Sequence, residues 1–293
     1  MPKYIQARQI LLPAKGGDDN RNLFGIKYSM NCYRGCQHKC IYCDTRSDCY
    51  QVRYFDEIEI KNNAIDLLRK ELNSKKRKGT VGTGSMNDPY MPIESREKLT
   101  RKALKVLYEY RFPVHVMTKS SLVLRDQDIL KDLSSVYAAV TFTITTPDDA
   151  LSRKIEPRAP ESSKRFEAMK ILASEGILTG VSMMPVLPWI TDDWMQVQAL
   201  VKKAKDCGAS YILNAGMGMT LRQGQREYFY NELDKIFPGL QKQYEKNFGN
   251  KYYAYINQAE FMYRNFEELC DKLGIAMRIP AFSKTLPEQE ILF

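Results

Sequence analysis

The sequence predicts an α/β fold: a partial (βα)6 TIM-like barrel followed by a helical extension. Short β-rich segments alternate with amphipathic helical ones along most of the chain, and alternation at this spacing implies parallel strands joined by right-handed crossovers. Polar and thiol-bearing motifs fall just after successive strands, where parallel βα folds collect their functional groups. Six units are too few to close an eight-stranded barrel, so the sheet is expected to stay open. The expected organisation is a lead-in over 1–23, a barrel core over 24–220 and an extension over 221–293 that packs on the core.

Phe24 to Met30 reads as the first strand, feeding a cysteine-rich loop. A helix follows around Asn62 to Ser74, with Ile65, Leu68 and Leu72 on one face. Thr80 to Thr83 is the second strand. Arg96 to Tyr110 is one helix that turns Leu99, Ala103, Val106, Leu107 and Tyr110 inward. The pattern repeats with a strand at Val114 to Thr118, a helix at Gln127 to Leu133 and a strand at Ala138 to Thr145. Next come a helix at Ser162 to Ser174, a strand at Ile177 to Met183, a helix at Asp193 to Asp206 and a sixth strand at Tyr211 to Ala215. Beyond Met219 the pattern gives way to helices rich in Tyr, Glu and Lys, with a late strand expected over Leu273 to Ile279.

With 293 residues, 44% of them hydrophobic, the chain can bury a large core. No apolar run approaches the roughly 20 residues that span a bilayer. The start, Met1-Pro2-Lys3-Tyr4-Ile5-Gln6-Ala7-Arg8, lacks the basic-then-apolar plan of a signal peptide. Seven cysteines, three of them clustered, do not suggest a disulfide framework. These features lead us to expect a cytoplasmic protein without a membrane partner. The net charge of +9 favours polyanions, nucleic acid among them. Its densest run, Lys75-Lys76-Arg77-Lys78, falls where a helix should end, and cations there also suit the helix dipole.

The chemistry concentrates in Cys36-Gln37-His38-Lys39-Cys40-Ile41-Tyr42-Cys43. Three thiols at C-x₃-C-x₂-C spacing on one loop can each bind a different corner of a small inorganic centre. A cubane [4Fe–4S] cluster normally takes four thiolates, so three leave one iron open to another ligand. Zinc completed by Cys32 and His38 is the competing reading, although structural zinc usually pairs two separate C-x₂-C knuckles. Cys49, Cys207 and Cys270 are scattered singly.

This cysteine pattern, with an aromatic residue before the third thiol, resembles the radical S-adenosylmethionine (SAM) superfamily. The stretch Tyr28-Ser29-Met30-Asn31-Cys32-Tyr33-Arg34-Gly35-Cys36 through Arg46 is similar to the group related to spore photoproduct lyase. Ser85-Met86-Asn87-Asp88-Pro89-Tyr90, Thr118-Lys119-Ser120, Thr143-Ile144-Thr145-Thr146 and Glu156-Pro157-Arg158-Ala159-Pro160 follow in the same order. The resemblance implies a partial barrel of the radical SAM type, a [4Fe–4S] cluster on Cys36, Cys40 and Cys43, and S-adenosylmethionine at the open iron. It implies reductive cleavage of the cofactor to a 5′-deoxyadenosyl radical that abstracts hydrogen from a substrate. A reducing partner such as flavodoxin or ferredoxin follows from the same likeness.

The resemblance also suggests cofactor contacts. Tyr42 is expected beside the cofactor, and Ser85, Asn87 and Asp88 at its methionyl end, with Gly82 and Gly84 permitting close backbone approach. Lys119 is expected at its carboxylate, and Thr143 is a hydroxyl contact on the fourth strand. Glu156 and Arg158 are expected to frame the site or to pair with each other. His38 is read as an exposed loop residue or a hydrogen-bonding support. Two positions depart from the lyase pattern: Ser85 stands where the lyase has its hydrogen-donating cysteine, and Asp44 where it has a tyrosine. The cysteine–tyrosine relay is therefore missing. A nucleic-acid-binding protein with a structural or redox-sensing cluster is the alternative function, favoured by the positive charge and by 18 tyrosines able to stack on bases.

Overall fold

In chain order, the computed structural model contains β1 (Lys3–Ile5), β2 (Leu11–Pro13), β3 (Tyr28–Met30), β4 (Tyr33–Arg34), β5 (Glu59–Lys61), α1 (Ala64–Asn73), β6 (Val81–Thr83), α2 (Glu94–Glu97), α3 (Leu99–Glu109) and β7 (Val114–Thr118). It continues with α4 (Gln127–Ser134), β8 (Ala138–Thr143), α5 (Asp149–Ile155), α6 (Ser162–Ser174), β9 (Leu178–Ser182), α7 (Trp194–Asp206) and β10 (Tyr211–Leu213). The chain ends with β11 (Gly218–Thr220), α8 (Gln225–Ile236), α9 (Leu240–Phe248), β12 (Tyr253–Tyr255) and α10 (Ala259–Leu273). The structure describes residues 2–14 and 22–282. Parts of the expected 1–23 lead-in and the end of the expected 221–293 extension therefore lie outside the described residues.

Among the described residues the main sheet has the order β10-β9-β8-β7-β6-β3-β2. From β3 to β10 every neighbouring pair is parallel, and β2 adds antiparallel to β3 at the edge. Six parallel strands in sequence order form the expected partial barrel. One face of the sheet carries Val114, Val116, Val140, Phe142, Val181 and Ile212 into a core shared with the helices through Leu104, Leu107, Leu130, Met169, Leu172 and Val201. Burying each such side chain contributes about 1.5–3 kcal/mol.

A polar chain crosses the buried interior. His115 Nε2 lies 2.5 Å from the Thr141 hydroxyl, which lies 2.7 Å from the Tyr211 hydroxyl, while His115 Nδ1 meets the Phe24 carbonyl at 2.7 Å. Burial holds the imidazole down at about 4, so it stays neutral and can use both nitrogens in this chain.

The expected helix from Arg96 to Tyr110 is interrupted at Lys98, which adopts φ +54. The buried Glu94 carboxylate supplies the reason, accepting the backbone N–H of Thr100 at 3.1 Å and thereby capping α3. The first strand is shorter than expected, because Asn22 bonds both the N–H and the carbonyl of Ile26 and folds the chain into a turn before Tyr28. The expected late strand is reduced to a parallel bridge between Ala276 and Tyr211.

An antiparallel ribbon of β11 and β12 was not expected, and it crosses the anticipated boundary at residue 220. The C-terminal helices pack on the barrel: Phe266 and Cys270 of α10 join the main core, while Phe229 and Tyr244 of α8 and α9 join a second core with Cys40, Ile41 and Tyr42. No helix among the described residues is long and apolar enough to cross a membrane.

Candidate functional site

The long connection after β3, just past the short β4, carries the three clustered thiols. Its first half is held by a small sheet in which β5 pairs with β4 and β1. Gly35 adopts φ +83, and a Cβ there would fall 2.5 Å from the Glu57 carbonyl oxygen, so only glycine fits just before Cys36. The Cys36 N–H then bonds the Phe55 carbonyl at 3.0 Å. Lys39, at φ +56, turns the chain toward Cys40. Ile41 N–H donates to the Ile155 carbonyl at 3.0 Å, and Gln225 of α8 donates to the Tyr42 carbonyl at 3.3 Å.

Cys36 and Cys40 are buried, Cys43 is half-buried, and all three are unbridged. Burial, followed by the charge of Asp88 and then of Cys43, pushes the Cys36 thiol up to about 12. Cys40 is raised in the same way by burial, although the Lys119 ammonium opposes the rise. Thiols so placed do not ionise alone, and bound metal cations remove that penalty. Among the described residues, no three His, Cys, Asp or Glu side chains converge to hold one metal ion. A cubane does not require this, since it receives each thiolate at a different iron. The zinc alternative loses its extra donors: Cys32 lies in the main hydrophobic core, and both nitrogens of His38 face other partners. The donor set thus fits a three-thiolate [4Fe–4S] cluster.

His38 is buried rather than exposed. Its Nε2 lies 3.1 Å from Asp88 Oδ2, and its Nδ1 lies 3.2 Å from the Arg158 carbonyl. Asp88 stands on the loop after β6, where Gly84 turns at φ +103 with no room for a Cβ, which would lie 2.0 Å from the Met117 carbonyl. The Asp88 carboxylate also accepts the Thr118 hydroxyl at 2.7 Å and the backbone N–H groups of Lys119 at 2.6 Å and Tyr90 at 2.8 Å. Burial opposes its ionisation, but the His38 charge and these donors outweigh burial and hold it at about 2. The Asp88 carboxylate thus accepts three hydrogen bonds and faces the His38 imidazole, which ties the cysteine loop to the β6 loop and the end of β7. Asn87 likewise donates to the Tyr33 carbonyl at 2.5 Å. Ser85 is exposed, with its hydroxyl 3.0 Å from that of Ser29.

Lys119, at the end of β7, is half-buried with its ammonium 5.7 Å from the centre of the Tyr42 ring. Burial works against its charge, yet Cys40 and Glu156 favour it and keep its pKa above the ordinary lysine value. Thr143 is half-buried at the end of β8. Lys119, Tyr42 and the clustered thiols thus occupy one region at the C-terminal ends of the strands.

The expected pairing of Glu156 with Arg158 does not form. Arg158 is exposed and touches the site through its backbone, its N–H donating to the His38 carbonyl at 3.1 Å. Glu156 instead pairs at 2.5 Å with Arg165, a residue our sequence reasoning missed, and accepts the Tyr42 hydroxyl. A helix face supplies the partner that the short Glu-Pro-Arg motif could not. The signal was present, since Arg165 sits one turn before Met169 and Leu172 on the buried face of α6, where an arginine needs a partner.

Asp44, in the position after the third thiol, accepts the hydroxyls of Tyr50 at 2.9 Å and Thr220 at 2.7 Å and lies 3.3 Å from the Arg222 guanidinium. Arg222 Nη1 also reaches the Tyr50 hydroxyl at 2.9 Å and the Cys49 sulfur at 3.5 Å. This cluster joins the cysteine loop to the β11–β12 region.

The sequence profile of the radical SAM superfamily matches residues 30–201. An uncharacterised protein of Methanocaldococcus jannaschii is 36% identical over 191 residues, covering 64% of this chain and 68% of that protein. A radical SAM Nα-GlyT isomerase of Pseudomonas phage M6 is 24% identical over 202 residues, covering 68% of this chain and 41% of the phage protein. Among solved structures, spore photoproduct lyase complexed with dinucleoside spore photoproduct superimposes with a TM-score of 0.67 at 14% identity, over 93% of this chain and 80% of the lyase. A lyase variant with bound AdoMet and the same dinucleoside gives a TM-score of 0.66.

Proposed function

The chain belongs to the radical SAM superfamily, and we propose that it generates a 5′-deoxyadenosyl radical to abstract hydrogen from a substrate whose first candidate class is nucleic acid. It is a radical SAM enzyme with a [4Fe–4S] cluster and S-adenosylmethionine as cofactors. When bound, these groups supply reductive cleavage of the C5′–S bond. Cys36, Cys40 and Cys43 would hold three irons and leave the fourth open. Lys119 would meet the cofactor carboxylate as a point charge, with Ser85, Asn87 and Thr143 bordering the cofactor and Tyr42 packing beside it. His38 and Asp88 hold the two loops that bear these groups. The thiol triad beside Lys119 at the C-terminal ends of the strands is the observation that carries this reading.

Nucleic acid is favoured by the net charge of +9 and by the dinucleoside bound in the lyase structure. The spore photoproduct reaction itself is not proposed. A serine O–H bond is too strong to make Ser85 a good hydrogen-atom donor, and Asp44 has no phenol. Electrons would come from a flavodoxin or ferredoxin in a reducing cytoplasm.

The test is anaerobic reconstitution followed by reduction with S-adenosylmethionine present. About four irons per chain and formation of 5′-deoxyadenosine are expected. A fully loaded cluster that yields none, together with salt-dependent nucleic-acid binding, would support a structural or redox-sensing cluster instead.

A further inference from the structure

Arg165 is fully buried, an unusual place for a guanidinium without a job. Its Nε donates to the Pro160 carbonyl at 2.8 Å and its Nη1 to the Thr143 carbonyl at 2.9 Å, while Nη2 lies 2.5 Å from Glu156 Oε2. The other Glu156 oxygen accepts the Tyr42 hydroxyl. One buried chain of contacts therefore runs from the cysteine loop, between Cys40 and Cys43, to the last residue of β8. Backbone pairing of Ile41 with Ile155 runs beside it.

We propose that Arg165 is a positioning residue that, through Glu156 and Tyr42, fixes the cluster-bearing loop against the end of β8 and so sets how S-adenosylmethionine meets the cluster. The inference rests on the radical SAM reading. Geometry argues for positioning beyond plain stabilisation. An ion pair that only filled the core could be replaced by apolar side chains of similar size at little cost. This one spends its donors on the backbone of Thr143 and its acceptor on the side chain next to Cys43. Tyr42 is buried, and the Glu156 carboxylate is the partner that its hydroxyl finds there. Lysine could keep the charge beside Glu156, but it lacks the planar fork that donates to two backbone carbonyls while it faces the carboxylate.

The experiment uses the full chain, reconstituted without oxygen, in the variants Arg165→Met, Arg165→Lys, Tyr42→Phe and the double variant Glu156→Gln with Arg165→Met. Four readouts are compared with the wild type: iron per chain, thermal midpoint of the iron-free protein, equilibrium binding of S-adenosylmethionine, and the change that this cofactor causes in the electron paramagnetic resonance spectrum of the reduced cluster. Arg165→Met is expected to lower the midpoint and to weaken cofactor binding about tenfold or more, with the spectral change altered at equal iron loading. Arg165→Lys should fall between. In the double variant no charge is left buried alone, so the midpoint should recover toward wild type while cofactor binding does not. Tyr42→Phe leaves the ion pair intact and should weaken binding severalfold with a nearly normal midpoint, a result readable even if Arg165→Met fails to fold.

Wild-type cofactor affinity and spectrum in Tyr42→Phe and in the double variant would overturn the proposal, as would affinity that simply follows the midpoint across the series. Failure of the wild type itself to bind S-adenosylmethionine would count against the enzymatic reading instead.

Discussion

Replacing Asp88 by Asn should loosen the cysteine loop and the β6 loop together, with a signature that depends on pH. An aspartate held at about 2 in the fold, against about 4 when unfolded, contributes about 2–3 kcal/mol of stability as an ion. The sign follows from the depressed value. The contribution is fully present above the unfolded pKa, falls to about half near pH 3 and is nearly gone at pH 2. Asn keeps the volume but removes the charge opposite His38, and its amide turns N–H groups toward donors that now bond Oδ1 or Oδ2. A buried donor left without an acceptor costs about 1–3 kcal/mol, so the variant should lose about 2–4 kcal/mol at pH 5. Urea unfolding of the iron-free protein at pH 5, 4 and 3 measures the difference. It should shrink steadily as the pH falls, and the reconstituted variant should retain less iron after gel filtration. Equal midpoints at pH 5, or a difference that does not vary between pH 5 and 3, would refute the assignment of Asp88 as the ionised clamp on His38.

Three further outcomes follow from the site. Ala at Cys36, Cys40 or Cys43 should abolish iron binding, while Ala at Cys32, Cys49, Cys207 or Cys270 should leave about four irons; stoichiometric zinc without iron uptake in protein purified without oxygen would defeat the cluster. Lys119→Ala and Thr143→Val should weaken S-adenosylmethionine binding about tenfold, roughly 1.4 kcal/mol, without loss of iron, and normal affinity in both would remove these residues from the cofactor site. Supplied with dinucleoside spore photoproduct, reductant and S-adenosylmethionine, the enzyme should release no thymine over repeated turnovers, since Ser85 and Asp44 offer neither thiol nor phenol; several clean turnovers would show that another group closes the cycle.

Much of the fold was legible because βα periodicity is a property of contiguous residues. The strand at Val114–Thr118 and the helix at Ser162–Ser174 have the expected boundaries. The ribbon of β11 and β12 was missed, because each strand is three residues long and its partner lies beyond two helices. The break at Lys98 was missed for a related reason. Arg96 to Tyr110 has helical composition throughout, and only the buried Glu94 carboxylate, shared with Tyr33 and Arg125, makes a new helix start at Leu99 worthwhile.

The sequence by itself determined the thiol triad, since C-x₃-C-x₂-C places three thiols on one loop whatever surrounds them. It also determined the order of the motifs, since Ser85–Tyr90, Thr118–Ser120 and Thr143–Thr146 lie at or just past the ends of their strands. Tertiary structure alone decided which charges answer one another. His38 meets Asp88 across 50 positions, and Tyr42 meets Glu156 across 114. Glu156 pairs with Arg165 rather than with the nearer Arg158, because α6 turns Arg165 into the core while Arg158 lies exposed in the turn after α5. A buried charge must be paired where it lies, and where it lies is set by how sheet and helices pack, which no local pattern of residues records.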